Sequence, residues 1–175
     1  MAAVVILVNG LPGAGKTTLA RGLAERTGWP CLTKDAVKEA LAPVLPAEFP
    51  RPRLGAVAMD TVWAVAAGLP GTVLVESWWF RPRDLTFARA GVATSGASTV
   101  VEVWCDVAPA LARRRYAARR RSAVHEDERR LGEDYDRWAA NAEPLALGPV
   151  VRVPTDGAVD LDVVVSDLRV ATSAA

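Results

Sequence analysis

The stretch Gly10-Leu11-Pro12-Gly13-Ala14-Gly15-Lys16-Thr17 constrains this chain more than any other. It satisfies the phosphate-binding pattern G-x-x-x-x-G-K-[ST] at every fixed position. The flanks agree. Residues 4–8 are an apolar run that reads as a buried parallel strand. Residues 17–26 follow with Leu19, Leu23 and Ala24 at helical spacing. Glycines let successive backbone N–H groups turn toward a polyphosphate, and the helix N-terminus behind them adds positive potential. Gly10, Pro12, Gly13, Ala14, Gly15 and Thr18 are therefore expected to line a nucleotide's phosphates. Lys16 is expected to reach the β- and γ-phosphates and to act in catalysis, and Thr17 to ligate Mg²⁺.

The rest of the chain repeats the alternation of strand and helix. Further strands are expected at 29–32, 72–76, 98–105 and 150–153. Helices are expected at 36–45 (bent or stopped by Pro43), 53–67, 82–94, 128–142 and 161–170. One more starts at Pro109 and runs through an arginine cluster, interrupted at 122–127. Such alternation predicts a parallel sheet with helices on both faces, within one domain over residues 1–175. Ligands then bind beyond the carboxyl ends of the strands, where the phosphate loop, Asp35, Glu76 and Asp106 fall. In the helix at 53–67, Val57, Thr61 and Val65 with Leu54 and Ala58 form the expected core stripe. Gly91 and Gly96 mark the end of the helix at 82–94 and the turn after it.

Composition narrows the partners. A chain of 175 residues suits one domain with a substantial core. No apolar run approaches the roughly 20 residues needed to span a bilayer. Cys31 and Cys105 have no metal or disulfide spacing and read as reduced thiols of a cytoplasmic protein. A net charge of +1 offers no global pull toward nucleic acid. Yet Arg113, Arg114, Arg115, Arg119, Arg120 and Arg121 crowd into one segment, which points to a local anionic partner.

Several side chains have the chemistry of a transfer site. Asp35 follows a strand end beside the phosphate loop and is the candidate general base; its competing role is a helix N-cap. Glu76 suits a Mg²⁺-bound water or a substrate contact, or else an ion pair with an arginine. Arg115 and Arg119 lie one turn apart and share a face. Arg119 is assigned to the transferring phosphate and Arg115 to the adenine or the phosphates, since a planar guanidinium meets phosphate oxygens bidentately. His125, the sole histidine, sits in the helix interruption, where it touches substrate or is simply exposed. Trp78 and Trp79, with Phe80, either line an acceptor pocket or pack in the core. Trp63 and Trp138 read as core. Arg51, Arg53, Arg81 and Arg83 flank this region and suit an anionic acceptor or plain surface charge.

Three segments carry a family resemblance. Ala112-Arg113-Arg114-Arg115-Tyr116-Ala117-Ala118-Arg119 followed by Val124-His125-Glu126 resembles the lid of small P-loop kinases. Leu32-Thr33-Lys34-Asp35-Ala36-Val37-Lys38-Glu39-Ala40-Leu41 resembles the segment after the second strand in the zeta-toxin and chloramphenicol-phosphotransferase-like group. Pro149-Val150-Val151-Arg152-Val153-Pro154-Thr155 is similar to that group's last strand. The Asn-Lys-x-Asp guanine signature of GTPases is missing. The resemblance implies an α/β P-loop fold of the nucleoside-monophosphate-kinase type, a parallel five-stranded sheet in the order 2-3-1-4-5 with a small helical lid at about 115–130. It implies transfer of the γ-phosphate of ATP, with Mg²⁺, to a small-molecule hydroxyl, antibiotics among the acceptors. A nucleotide-sugar kinase of zeta-toxin type is the adjoining reading. A nucleic-acid-end kinase and a nucleotide-dependent switch come from other classes, and the near-neutral charge weighs against the nucleic-acid one. Two features depart from the group: the strand ends on a single Glu76 instead of Asp-Asp or Asp-Gly, and Trp78-Trp79-Phe80 follows it.

Overall fold

A strand buried on both faces must be apolar at consecutive positions, and Val5, Ile6, Leu7 and Val8 are all fully buried in β1 (Ala2–Asn9). In the computed structural model, which describes residues 2–119 and 131–174, β1 is the centre of the sheet. The other strands are β2 (Cys31–Thr33), β3 (Gly71–Glu76), β4 (Thr99–Asp106) and β5 (Val150–Pro154). All pairings are parallel, in the order β2-β3-β1-β4-β5. This is the expected order. It reverses at β1, with β3 on one side and β4 on the other, so a crevice opens beyond the carboxyl end of β1.

The helices are α1 (Lys16–Thr27), α2 (Lys34–Leu41), α3 (Arg51–Gly68), α4 (Arg81–Ser95), α5 (Pro109–Ala117), α6 (Tyr135–Asn141) and α7 (Leu161–Ser173). Side chains of β1 alternate between two apolar layers. Ile6 and Val8 pack with Leu19 and Leu23 of α1 and Val164 and Leu168 of α7. Val5 and Leu7 pack with Val62, Trp63 and Ala66 of α3 and Ala88 of α4. A 3-10 turn at Ala42–Val44 carries Pro43 in its first turn, which explains why α2 stops at Leu41. Among the described residues, no helix is long and apolar enough to cross a membrane.

Two expectations need correction. The buried stripe of α3 is Leu54, Ala58, Val62, Trp63 and Ala66. Val57 and Val65 are 40% and 44% exposed, and Thr61 is exposed too. The rotation of α3 follows its largest side chain: Trp63 is buried and stacked on Trp79, ring centroids 6.5 Å apart. Gly91 does not end α4. It lies inside the helix, where a Cβ would come within 2.0 Å of Trp63 Nε1. Gly91 is there to let α4 pass close over that indole, and Gly96, with φ of 68°, is the C-cap. Both cysteines are free; Cys105 is buried and Cys31 partly so. Burial pushes their thiols up to about 12 and about 11, so neither is an activated nucleophile. The lid segment beyond Arg119, with Arg120, Arg121 and His125, lies outside the described residues.

Core and surface of α3 respond differently to truncation. Leu54→Ala is expected to cost about 2–5 kcal/mol, and Val65→Ser less than about 0.5 kcal/mol, in urea unfolding at equilibrium.

Candidate active site

Loop, helix N-terminus and strand ends converge in the crevice beyond β1. Gly13 and Gly15 hold φ of 87° and 94°, the left-handed backbone of an anion-binding turn. At Gly13 a Cβ would lie 2.0 Å from the Ala112 carbonyl oxygen, so α5 sits directly on the loop. Tyr135, from α6, donates its hydroxyl to the Pro12 carbonyl at 3.0 Å. The Lys16 ammonium donates to the carbonyls of Gly10 and Leu11, at 2.8 and 3.0 Å. It also lies 6.0 Å from the centroid of a Trp78 ring. Burial pushes the Lys16 pKa down, and the Glu76 carboxylate opposes this. Thr17 donates its hydroxyl to Glu76 at 3.4 Å. Glu76 is buried at the end of β3, and burial raises its pKa against the pull of Lys16. A hydroxyl beside a carboxylate is a fitting oxygen pair for a hard cation such as Mg²⁺.

Two cavities open from this point. The first, of about 810 Å³, has Lys16, Thr17, Asp35, Glu76 and Arg119 among its lining and extends along Trp78, Trp79 and Trp138. Trp79 and Trp138 thus serve both as core and as cavity wall. The second, of about 750 Å³, lies on the other side of the loop against Gly13, Gly15, Thr18, Arg115, Thr155 and Gly157. Thr17 and Arg119 line both.

Asp35 is not the cap of α2. Thr33 is, its hydroxyl accepting from the Ala36 N–H at 3.2 Å, which places Asp35 in the first turn of the helix. The charge of Asp35 is felt at both Lys16 and Glu76. Three of the cluster's described arginines take different places. Arg113 pairs with Asp136 and lies over the Tyr135 ring. Arg115 donates to the carbonyls of Thr155 and Asp156, at 2.7 and 3.0 Å, tying α5 to the loop after β5. Arg119 remains with the two cavities. Of the other arginines, Arg51 and Arg83 line the first cavity, and Arg83 pairs with Asp84 at 2.7 Å. Arg81 meets Glu143 at 3.3 Å and Arg53 lies over Phe49.

Sequence reasoning missed Asn9 and Glu102, both fully buried. Asn9 Oδ1 accepts the N–H groups of Gly10 and Trp79, at 2.8 and 3.1 Å. Its amide donates to Glu102 at 2.9 Å. Glu102 also accepts the N–H groups of Leu145 and Ala146, at 3.0 and 2.8 Å. Burial raises the Glu102 pKa, and these donors oppose the rise. The only hint in the sequence was a carboxylate inside the apolar run of β4.

A family model described as an AAA domain matches residues 5–145. Among solved structures, a candidate kinase from Chloroflexus aurantiacus is 23% identical with a TM-score of 0.73, and 97% of each chain is covered. The tunicamycin resistance protein of Deinococcus radiodurans is 17% identical with a TM-score of 0.57, over 97% of this chain and 95% of that one. A shikimate kinase from Bacteroides thetaiotaomicron is 19% identical with a TM-score of 0.57, over 95% of this chain and 96% of that one. No curated protein matches the sequence. At these identities the likeness shows a shared, kinase-like P-loop fold.

Asn9→Ala leaves the buried N–H groups of Gly10 and Trp79 without their side-chain acceptor and removes one of the three donors to the Glu102 carboxylate. A loss of about 3 kcal/mol is expected in urea unfolding.

Proposed function

The chain belongs to the AAA domain family, and from that premise we propose that it is a phosphotransferase moving the γ-phosphate of ATP to a hydroxyl of a small molecule. The carrying observation is the meeting of two cavities at Thr17 and Arg119. A hydrolase or a switch needs one cavity and a water. A transferase needs a nucleotide on one side, an acceptor on the other, and the transferring group between them.

The residues present fit ATP and Mg²⁺. The left-handed glycines and the N-terminus of α1 form the phosphate cradle. Thr17 and Glu76 would hold Mg²⁺, which supplies charge neutralisation at the phosphates when bound. Lys16 exchanges the carbonyls of Gly10 and Leu11 for phosphate oxygens. Its burial strengthens that contact, because little water competes for the ammonium. Arg115 closes the nucleotide side against Thr155 and Asp156. On the other side, Asp35 orients the acceptor hydroxyl and takes its proton. The acceptor oxygen bonds to the γ-phosphorus, the bond from that phosphorus to the β,γ-bridging oxygen breaks, and ADP leaves. Arg119 meets the charge on the transferring oxygens. Trp78 and Trp79 form part of the acceptor wall. The unit at work is a single domain over residues 1–175 with a lid at about 115–130. Its free thiols suit the reducing cytoplasm. The finer reading, an antibiotic as acceptor, rests on the resemblance of residues 32–41 to the chloramphenicol-phosphotransferase-like group.

Incubation with ATP, Mg²⁺ and a panel of sugars, nucleosides and hydroxyl-bearing antibiotics should give one acceptor-dependent mass gain of a phosphoryl group. ATP hydrolysis indifferent to every acceptor would reject the transferase in favour of the switch. Asp35→Asn should keep the melting temperature and lose about 10²-fold or more in turnover. Arg119→Ala should lower kcat more than it raises the KM for ATP, as expected of a contact made chiefly in the transition state.

A further inference from the structure

Successive carbonyls of the phosphate loop have side-chain partners. Those of Gly10 and Leu11 accept from the Lys16 ammonium. That of Pro12 accepts from the Tyr135 hydroxyl at 3.0 Å. The first two bonds are given up when Lys16 turns to phosphate oxygens. The third involves no group that a nucleotide needs, so it persists when the loop is filled.

Pro12 lies where the loop is least able to hold its own shape. Leu11-Pro12-Gly13-Ala14 is a tight turn, closed by the Ala14 N–H on the Leu11 carbonyl at 2.9 Å. Proline at its second position and a glycine with φ of 87° at its third mark a type II turn. Types I and II differ by a half-turn of the middle peptide, here Pro12–Gly13. Proline suits both forms, and glycine accepts either sign of φ. Nothing within these four residues therefore selects one form over the other. In a planar trans peptide the C=O and N–H point opposite ways. With its oxygen held toward Tyr135, this peptide turns the Gly13 N–H to the other side, where Gly13, Gly15, Thr17 and Thr18 line the second cavity. The half-turned peptide would present the Pro12 oxygen there instead, and a carbonyl oxygen repels an anion.

We infer that Tyr135 is a positioning residue for the nucleotide: its hydroxyl locks the Pro12–Gly13 peptide with the Gly13 N–H facing the phosphates. This rests on the nucleotide part of the phosphotransferase reading and not on the transfer step. The hydroxyl is firmly held for the task. Its ring is buried and stacked on Tyr116, centroids 5.8 Å apart, and the Arg113 guanidinium lies 5.7 Å from its centroid. Arg113 is itself paired with Asp136, so α5 and α6 together fix the ring. Burial pushes the Tyr135 pKa up to about 12, which keeps the hydroxyl protonated and a donor.

The test compares wild type, Tyr135→Phe and the core variant Leu54→Ala. Binding of ATP and of pyrophosphate, each with Mg²⁺, is measured by calorimetry, and the Gly13 amide is followed by NMR. Tyr135→Phe keeps the ring and removes only the hydroxyl, so it is expected to fold. It should weaken both ligands about tenfold, the worth of one hydrogen bond to a charged group. Pyrophosphate should move the Gly13 amide proton downfield in wild type and much less in Tyr135→Phe. Leu54→Ala, destabilised at a distance from the loop, should bind as wild type does. Equal affinity in wild type and Tyr135→Phe, an unaltered Gly13 response, or the same loss of affinity in Leu54→Ala would overturn the role of Tyr135 and leave the nucleotide reading standing. Weakened binding in Tyr135→Phe alone, without transfer to any acceptor, would uphold Tyr135 and overturn the transferase. Wild-type protein that binds neither ligand would overturn both.

Discussion

The site depends on one buried amide. Asn9 closes β1 at the point where the sheet reverses direction, and its side chain faces three segments at once. Through Oδ1 it fixes the first N–H of the phosphate loop and the N–H of Trp79 on the wall of the first cavity. Through Nδ2 it reaches Glu102, which in turn holds Leu145 and Ala146 after α6. Water is excluded from this cluster, so each bond is stronger than it would be at a surface and its loss is costlier. The loop, the cavity wall at Trp79 and the segment that carries α6 back to the sheet share one anchor.

Around the loop, opposite charges are held close together and out of water. Lys16 and Glu76 are both buried, and burial works against the ionised form of each. They stabilise one another, with Asp35 and Arg119 adding opposite contributions.

The parts legible in the sequence were local ones. The loop pattern, the apolar strands and the strand-end carboxylates are encoded in neighbouring residues, and each appears near its expected place. The misread parts depend on distant partners. Helix α3 is rich in Ala and Val, so several of its faces look apolar. Only Trp63, fitted between Trp79 and Gly91, decides which face is buried. Glu102 finds its backbone donors 43 and 44 positions away, and backbone N–H groups leave no mark in a sequence. The arginines near α5 are identical letters, yet Arg113, Arg115 and Arg119 take an ion pair, two carbonyls and a cavity edge. The competing role offered for Asp35, a helix cap, falls instead to Thr33, whose hydroxyl accepts from the Ala36 N–H.

The division of the site into two cavities also bears on descent. The second cavity draws on the loop, α1, α5 and the residues after β5, and nothing from α3 or α4 is among its lining. Substitutions on those two helices can therefore reshape the first cavity while the lining of the second is left untouched. A lineage built this way can vary one cavity a residue at a time and inherit the other intact at each generation.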